Sequence, residues 1–195
     1  GMRALDATVD YIRSKYPEIF LIADAKRGDI GNTAKMYAKA FFEEMDFDAV
    51  TIAPYMGADS VTPFLEYKDK WAIVLALTSN ASAYQFQNAQ KDGKPLYQAV
   101  MEEMMEISTP DNMMFVVGAT KADKLEELRS FCPDNFFLVP GVGAQGGSAE
   151  EVIAHGANDH GGLLINSSRG ILFADSTEDF AYVAGKVAAR TANLQ

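Results

Sequence analysis

Short apolar runs alternate along the chain with amphipathic stretches in which hydrophobic residues recur every three or four positions. The run 71–77 is almost entirely apolar, as a strand buried on both faces should be. In the stretch 2–15, Leu5, Val9 and Ile12 share one helical stripe. The pattern predicts six strands, over residues 19–24, 49–54, 71–77, 113–118, 136–140 and 162–166.

Helix signals follow each predicted strand. Ser148 and Glu151 form a capping-box pattern, and Ser176 and Asp179 have the spacing of another helix cap. Helices are predicted over 2–15, 33–45, 95–107 and 121–131, from Thr62-Pro63, after Ser148, and after Ser176 through about residue 190. Because no hairpin signal separates alternating strands, the repeat predicts an α/β fold with a parallel sheet.

The residues after the strands favour one of two parallel architectures. Periodicity alone fits an open doubly wound sheet as well as a barrel. Polar, glycine-rich or charged residues follow every predicted strand at the same end. We therefore expect a barrel of about six βα units whose loops open at one mouth, as a single domain over residues 1–195.

Composition narrows the classes of partner. The net charge of −10 and the pI of about 4.6 argue against nucleic acid and against an anionic membrane surface. The single Cys132 excludes an internal disulfide, and no apolar run has the length of a bilayer span. A cytoplasmic protein with a small-molecule ligand is the expectation.

Charged residues appear abruptly at the end of the first predicted strand. Asp24 and Lys26 are two positions apart, so on a strand their side chains leave the same face. Asp29 and Thr33 follow just past the strand end, where α/β folds place their active sites. A lysine held between carboxylates stays protonated and can deliver a proton to a carbanion. A strand-end ion pair that caps the sheet is the alternative interpretation of Asp24 and Lys26 alone.

A second group of residues follows the last two predicted strands. The glycine-rich segment 141–147 leads to the helix that begins at Ser148, and its backbone N–H groups would face an anion. Arg169, after the next strand, can bind two phosphate oxygens at once. A tight strand-to-helix turn would also explain the glycines. Together the two segments favour a phosphate site.

Residues 24–33, Asp-Ala-Lys-Arg-Gly-Asp-Ile-Gly-Asn-Thr, resemble the Asp-x-Lys-x-x-Asp-Ile-x-x-Thr signature of the orotidine 5′-phosphate decarboxylases. The form resembles the second, bacterial and mycobacterial subtype of that family. Residues 140–147 resemble the family's loop after its seventh strand, and 53–57 its fourth strand and loop. The resemblance runs from about residue 1 to at least residue 175 and implies a TIM (β/α)8-type barrel.

The resemblance also implies a reaction, the cofactor-free decarboxylation of orotidine 5′-monophosphate (OMP) to uridine 5′-monophosphate (UMP), with no metal. Lys26 would protonate the C6 carbanion, and Asp24 would lie against the departing carboxylate. Asp29 and Thr33 would reach the neighbouring subunit's site, so the active unit would be a homodimer. On the strand's alternation Arg27 points away from this array.

Substrate-binding residues are implied in the same way. Gln145 would bridge the pyrimidine and phosphate regions, Arg169 would bind the phosphate, and either Ser79 or Asn80 would meet the pyrimidine edge. The full implied set is Thr33, Ser79, Asn80, Gln145, Gly146, Gly147, Arg169 and Gly170.

The chain departs from the family in its strand number. The family has eight strands and this chain has six predicted ones, because the match begins at the helix before the family's third strand. We therefore expect an N-terminally truncated barrel. Two alternatives stay open: a magnesium-dependent sugar-phosphate decarboxylase of the same superfamily, and a noncatalytic phosphate-binding fragment. The Asp29–Thr33 continuation and Gln145 favour the nucleotide decarboxylase over the first of these.

Overall fold

The structure, a computed structural model, describes residues 1–118, 122–141 and 148–192. Its strands in chain order are β1 (Ile22–Arg27), β2 (Ala49–Ile52), β3 (Trp71–Leu77), β4 (Gln90–Lys91), β5 (Lys94–Pro95), β6 (Met113–Val117), β7 (Phe137–Pro140) and β8 (Leu163–Asn166). Its helices are α1 (Met2–Lys15), α2 (Gly31–Lys39), α3 (Thr62–Leu65), α4 (Leu96–Glu106), α5 (Ala122–Phe131), α6 (Ala149–Gly156), α7 (Arg169–Leu172) and α8 (Phe180–Ala192).

Six of the strands form one sheet in the hydrogen-bonded order β1-β2-β3-β6-β7-β8. The ladders β1–β2, β2–β3, β6–β7 and β7–β8 are parallel. Every residue of β2 and of β6 is buried, as expected for parallel strands covered on both faces. The predicted α/β class with six βα units is present.

The chain divides into two compact units. One unit contains Gly1–Leu75 with Val100–Met114, and the other contains Ala76–Ala99 with Phe115–Gln195. The first unit holds β1, β2 and most of β3, and the second holds β7, β8 and most of β6. The expectation of a single domain stays a prediction.

Most predicted elements lie within two residues of the observed ones. Strand β3 spans the predicted residues 71–77, and α1 spans 2–15. The Ser148–Glu151 capping box is formed: the Ser148 hydroxyl accepts from the Glu151 amide, and the Glu151 carboxylate accepts from the Ser148 amide. The helix predicted over 33–45 begins earlier, at Gly31, and its last turn is a π-helix over Ala40–Glu44.

Two local predictions were wrong. Strand β1 begins at Ile22 and continues through Arg27, whereas the prediction ended at Asp24, because the charged residues that follow still pair with β2. The polar stretch after β3 contains an antiparallel hairpin, β4–β5, which was not expected. Its turn is Asp92-Gly93, both at positive φ, a conformation that this dipeptide readily adopts in hairpins.

Candidate active site

The carboxyl end of β1 carries a bulge in its ladder with β2. The register advances from Ala23 to Arg27 along β1 but only from Val50 to Ile52 along β2. Within the bulge Lys26 has φ = 46°, in the left-handed region that residues with a side chain seldom adopt. Bulges of this kind re-aim side chains and are frequent beside active sites.

The bulge brings Asp24 and Lys26 into contact. Lys26 Nζ lies 2.5 Å from Asp24 Oδ1, and the two side chains are 52% and 65% exposed. Both groups are therefore paired with each other yet open to a ligand. The contact agrees with the expectation that both side chains leave the same face, although the bulge contributes to it as well as the simple alternation of a strand.

Thr51 of β2 contacts both members of this pair. Its hydroxyl accepts a hydrogen bond from the Lys26 amide at 2.9 Å and donates one to Asp24 Oδ1 at 3.1 Å. The residue is fully buried. Thr51 was not predicted as a site residue, because a threonine in an apolar strand is also a common β-former.

Arg27 lies on another side of β1 from the pair. Its guanidinium carbon is 5.3 Å from the ring centroid of Tyr37 and 5.8 Å from that of Phe41. This cation–π arrangement holds the side chain against the helix that follows β1. The expectation that Arg27 points away from Asp24 and Lys26 agrees with these contacts.

Asp29 and Thr33 flank the start of α2. Asp29 is partly exposed, and its Oδ1 accepts a hydrogen bond from the Ile30 amide at 2.8 Å. Thr33 is exposed in the first turn of α2. Within the described residues, Lys26 forms its ion pair with Asp24, and Asp29 forms no ion pair within 4.0 Å. The Asp29 carboxylate is thus not engaged by the lysine of its own chain.

In the second unit, side-chain hydrogen bonds stabilise the segment that follows β3. The Gln87 side chain accepts a hydrogen bond from the Thr78 amide and donates one to the Thr78 hydroxyl, both at 2.8 Å. The Thr78 hydroxyl in turn donates to Asn80 Oδ1 at 2.6 Å, and Asn80 Nδ2 donates to Ser82 at 3.0 Å. Gln87 was not predicted, because it lies in a polar stretch without a motif.

Ser79 lies between the hydrogen-bonded residues Thr78 and Asn80 and close to the end of β6. The Gly118 amide donates to the carbonyl of Leu77 at 2.7 Å. A Cβ atom on Gly118 would lie 2.6 Å from the Ser79 backbone nitrogen. The two backbones can approach this closely because Gly118 has no side chain. The predicted Ser79 and Asn80 are thus both on one well-anchored turn.

The two predicted phosphate segments follow neighbouring strands. Pro140 of β7 pairs with Asn166 of β8, and the Gly141 amide donates to the Asn166 carbonyl at 3.1 Å. Gly141 has φ = 80°. The predicted substrate-binding residues of the intervening loop, Gln145, Gly146 and Gly147, lie outside the described residues.

Arg169 begins the short helix α7, three positions after the last residue of β8. The side chain is exposed, and within the part of the chain that the structure describes its guanidinium makes no hydrogen bond or ion pair. A Cβ atom on the next residue, Gly170, would lie 3.0 Å from the Ser167 hydroxyl. Gly170 therefore leaves room for the serine side chain beside Arg169.

No group of three or more His, Cys, Asp and Glu side chains is placed to hold a metal ion among residues 1–118, 122–141 and 148–192. Over the same ranges, no helix has both the length and the apolar character needed to cross a membrane.

Comparison with solved structures defines the class of protein. The chain superimposes on Leishmania donovani OMP decarboxylase with a TM-score of 0.82 and 35% identity, covering 100% of this chain and 76% of that one. It also matches Leishmania donovani UMP synthase, with a TM-score of 0.84 and 36% identity over 99% of this chain and 42% of that one. The predicted relationship to TIM-barrel decarboxylases is confirmed.

Sequence comparison then gives the family. Residues 5–181 match the model of the orotidine 5′-phosphate decarboxylase / HUMPS family. The orotidine 5′-phosphate decarboxylase of Phocaeicola vulgatus is 55% identical over 189 residues, which cover 96% of this chain and 70% of that protein. That of Bacteroides fragilis is 53% identical over 196 residues, or 100% of this chain and 71% of that protein. The chain belongs to the orotidine 5′-phosphate decarboxylase family.

Proposed function

We propose that this protein decarboxylates OMP to UMP in pyrimidine nucleotide synthesis, with Lys26 as the proton donor. The observation that carries the proposal is the 2.5 Å contact between Lys26 Nζ and Asp24 Oδ1 at the carboxyl end of β1. Family membership gives the reaction, and the contact supports a lysine held in place for proton transfer. Curated relatives named for this reaction favour it over the sugar-phosphate alternative.

The step balances without an external acid. The bond between C6 and the carboxylate carbon breaks, carbon dioxide leaves, and the electron pair stays at C6. The Lys26 ammonium gives its proton to C6, which yields UMP, and the neutral amine then regains a proton from water. The left-handed backbone of Lys26 and its partner Asp24 restrict where the ammonium can lie.

Asp24 acts in two ways in this proposal. Its carboxylate holds the Lys26 ammonium, and, as the family resemblance implies, it would lie against the substrate carboxylate. Two like charges brought together raise the energy of the bound substrate, and the repulsion is relieved as carbon dioxide departs. Asp24 therefore favours loss of the carboxylate, while Lys26 quenches the carbanion that remains.

Phosphate binding is assigned to Arg169 with Gln145, Gly146, Gly147 and Gly170, and contact with the pyrimidine edge to Ser79 or Asn80. The support for Arg169 is an exposed guanidinium with no partner among the described residues, after the strand that pairs with β7. Binding energy from a phosphate remote from C6 can be used to orient and desolvate the reacting group.

The active unit is proposed to be a homodimer in which Asp29 and Thr33 complete the neighbouring site. Two observations on the first unit support this. Asp29 makes no ion pair within the described residues of its own chain. Exposed apolar side chains lie at the start of α2 and within it, and in the loop after β2, namely Ile30, Met36, Tyr55 and Met56, which are 48–88% exposed. A second copy would bury them.

The dimer proposal is tested by mixing two inactive variants, Lys26→Ala and Asp29→Ala. A mixed dimer contains one site with an intact Lys26 from one subunit and an intact Asp29 from the other. After exchange of subunits at equal concentration, activity should return to about a quarter of the wild-type value. A mixture that stays inactive although subunit exchange is demonstrated would contradict sharing of the site.

The reaction itself is tested by following the loss of OMP absorbance with the purified protein, with magnesium and with a chelator. We expect turnover independent of magnesium that falls by at least about 1,000-fold in Lys26→Ala. Lys68→Ala is the matched control, because Lys68 is 91% exposed and pairs only with the neighbouring Asp69 within the described residues. Turnover that requires magnesium would favour the sugar-phosphate enzyme, and nucleotide binding without turnover would favour a noncatalytic fragment.

The protein is further proposed to act in the cytoplasm. Cys132 is free and buried, a state that a reducing compartment preserves.

A further inference from the structure

Thr51 is the residue of β2 that lies opposite the bulge in β1. Ala23 pairs with Val50 and Arg27 with Ile52, so residues 24–26 of β1 stand against Thr51 alone. The side chain of Thr51 contacts this bulge through the Lys26 amide and the Asp24 carboxylate. The side chain of Thr51 is fully buried, so water does not compete for its hydroxyl.

The Thr51 hydroxyl forms two hydrogen bonds with the bulge, one as an acceptor and one as a donor. As an acceptor it satisfies the Lys26 amide at 2.9 Å. As a donor it has one hydrogen, and the Asp24 carboxylate at 3.1 Å is a closer and more strongly charged acceptor than the Ala23 carbonyl at 3.5 Å. One oxygen atom thus links the backbone of Lys26 to the side chain of Asp24.

The backbone of Lys26 needs such support. A left-handed conformation in a residue with a Cβ is unfavourable and persists only where the surroundings impose it, as at Lys26. The Thr51 hydroxyl offers the amide a partner in that conformation. The backbone angles of Lys26 set the direction in which its side chain leaves the main chain. The hydrogen bond between the Lys26 amide and the Thr51 hydroxyl therefore also helps to fix the position of Nζ.

We propose that Thr51 is a positioning residue for decarboxylation, which fixes Asp24 and Lys26 relative to each other through its hydroxyl. The inference rests on the proposed roles of that pair. Thr51 would not touch substrate, because the residue is fully buried. Its contribution would be to the geometry of proton transfer and not to nucleotide affinity.

The test is a comparison of Thr51→Val with Thr51→Ser. Valine keeps the shape of the side chain and removes the hydroxyl, whereas serine keeps the hydroxyl and removes the methyl group. We expect Thr51→Val to lower kcat by about 10- to 100-fold with KM within about threefold of wild type. Thr51→Ser should restore kcat to within about fivefold, because the linking oxygen is retained.

A control separates positioning from folding. Thr8→Val removes another threonine hydroxyl, which donates to the Ala4 carbonyl in α1, and should leave kcat unchanged. Thermal unfolding of each variant shows the cost in stability, and kcat is measured well below the midpoint. Equal losses in Thr51→Val and Thr51→Ser, or a wild-type kcat in Thr51→Val, would overturn the proposal.

A double-mutant cycle tests the route of action. If Thr51 acts through Asp24, Thr51→Val should reduce kcat much less in an Asp24→Asn background than in the wild type. Full additivity would contradict that route. The Lys26→Ala variant separates the two proposals. Full activity of Lys26→Ala would show that Lys26 is not the proton donor. Loss of activity in Lys26→Ala together with a wild-type kcat in Thr51→Val would contradict only the role of Thr51.

Discussion

The backbone nitrogen of Ser79 lies where a Cβ atom on Gly118 would come within 2.6 Å of it. The same Cβ would lie 3.0 Å from the carbonyl carbon of Thr78. Both atoms belong to the backbone, so no side-chain rotation can relieve the overlap. The end of β6 therefore constrains the turn proposed to meet the pyrimidine, and glycine is the residue that permits the approach.

Gly118→Ala should displace this turn. We expect KM for OMP to rise by about tenfold or more, since a positioning turn moves by several tenths of an ångström or more. Steady-state kinetics and thermal unfolding measure the two effects. Gly185→Ala is the matched control: it lies in α8, nothing would meet its Cβ within 4 Å, and it should stabilise the protein by about 0.5–1 kcal/mol. A wild-type KM in Gly118→Ala would show that the turn can move without weakening the binding of OMP.

Arg169→Ala is expected to weaken binding through the phosphate. Loss of a guanidinium that takes two phosphate oxygens should raise KM for OMP by about 100-fold. Orotidine, which has no phosphate, separates this role from a general defect, because its slow turnover should be the same in the variant and in the wild type. Arg190→Ala, near the end of α8, provides the control for loss of a positive charge. Equal effects on OMP and orotidine would contradict the assignment.

Arg129 holds together the turns around α5 and β7. Its guanidinium carbon lies 3.9 Å from the ring centroid of Phe137. It donates hydrogen bonds of 2.8–3.1 Å to the carbonyls of Cys132, Pro133, Asn135, Gly156 and Gly162. A lysine has neither the planar fork nor enough donors for these acceptors.

Arg129→Lys should therefore lower the free energy of unfolding by about 3 kcal/mol, although the charge is kept. Urea unfolding followed by circular dichroism measures the change. The exposed Arg190→Lys should change it by less than about 0.5 kcal/mol. Equal stability of the two variants would show that water or other donors replace the guanidinium.

Cys132 makes the stability dependent on pH at the alkaline end. Burial raises the pKa of its thiol from 9.0 to about 11. The folded state keeps the proton that the unfolded state loses first, so the stabilisation is fully present below pH 9.0 and is lost as pH rises through about 11. This group should account for about 2–3 kcal/mol of the decline.

The measurement is urea unfolding between pH 8 and pH 11 for the wild type and for Cys132→Ala. The variant is less stable at pH 8, because it leaves a cavity, but its stability should fall less steeply above pH 9. Iodoacetamide should label the native thiol slowly at pH 8 and rapidly after unfolding. Parallel stability curves for the two proteins would contradict a buried thiol with a raised pKa.

The pattern of apolar residues predicted most of the fold. Strand β3 was placed correctly because seven successive positions are nearly all apolar and polar residues flank them. The end of β1 was misplaced because Lys26 and Arg27 are charged, which marks a loop in most sequences. The hairpin β4–β5 was missed because its strands are only two residues each and exposed, so they show no alternation.

The candidate site was predicted where chemistry shows in the residue type. Asp24 and Lys26 were found because charges in a strand are costly to bury, and they are in contact in the structure. Thr51, Gln87 and Gly118 were not found. Each of them matters because of a contact made in the folded protein: Thr51 with the bulge in β1, Gln87 with a loop amide, and Gly118 with a neighbouring backbone. No spacing along the sequence marks such partners.

The order of the sheet, β1-β2-β3-β6-β7-β8, follows the order of the strands along the chain, apart from the self-contained hairpin β4–β5. During synthesis each sheet strand after β1 therefore leaves the ribosome when its partner on one side has already been made. Each new pairing closes only the connection to the preceding strand of the sheet, which limits the entropic cost of loop closure. A nascent chain can add one strand at a time, so that each newly made strand can cover the unpaired edge of the sheet strand before it.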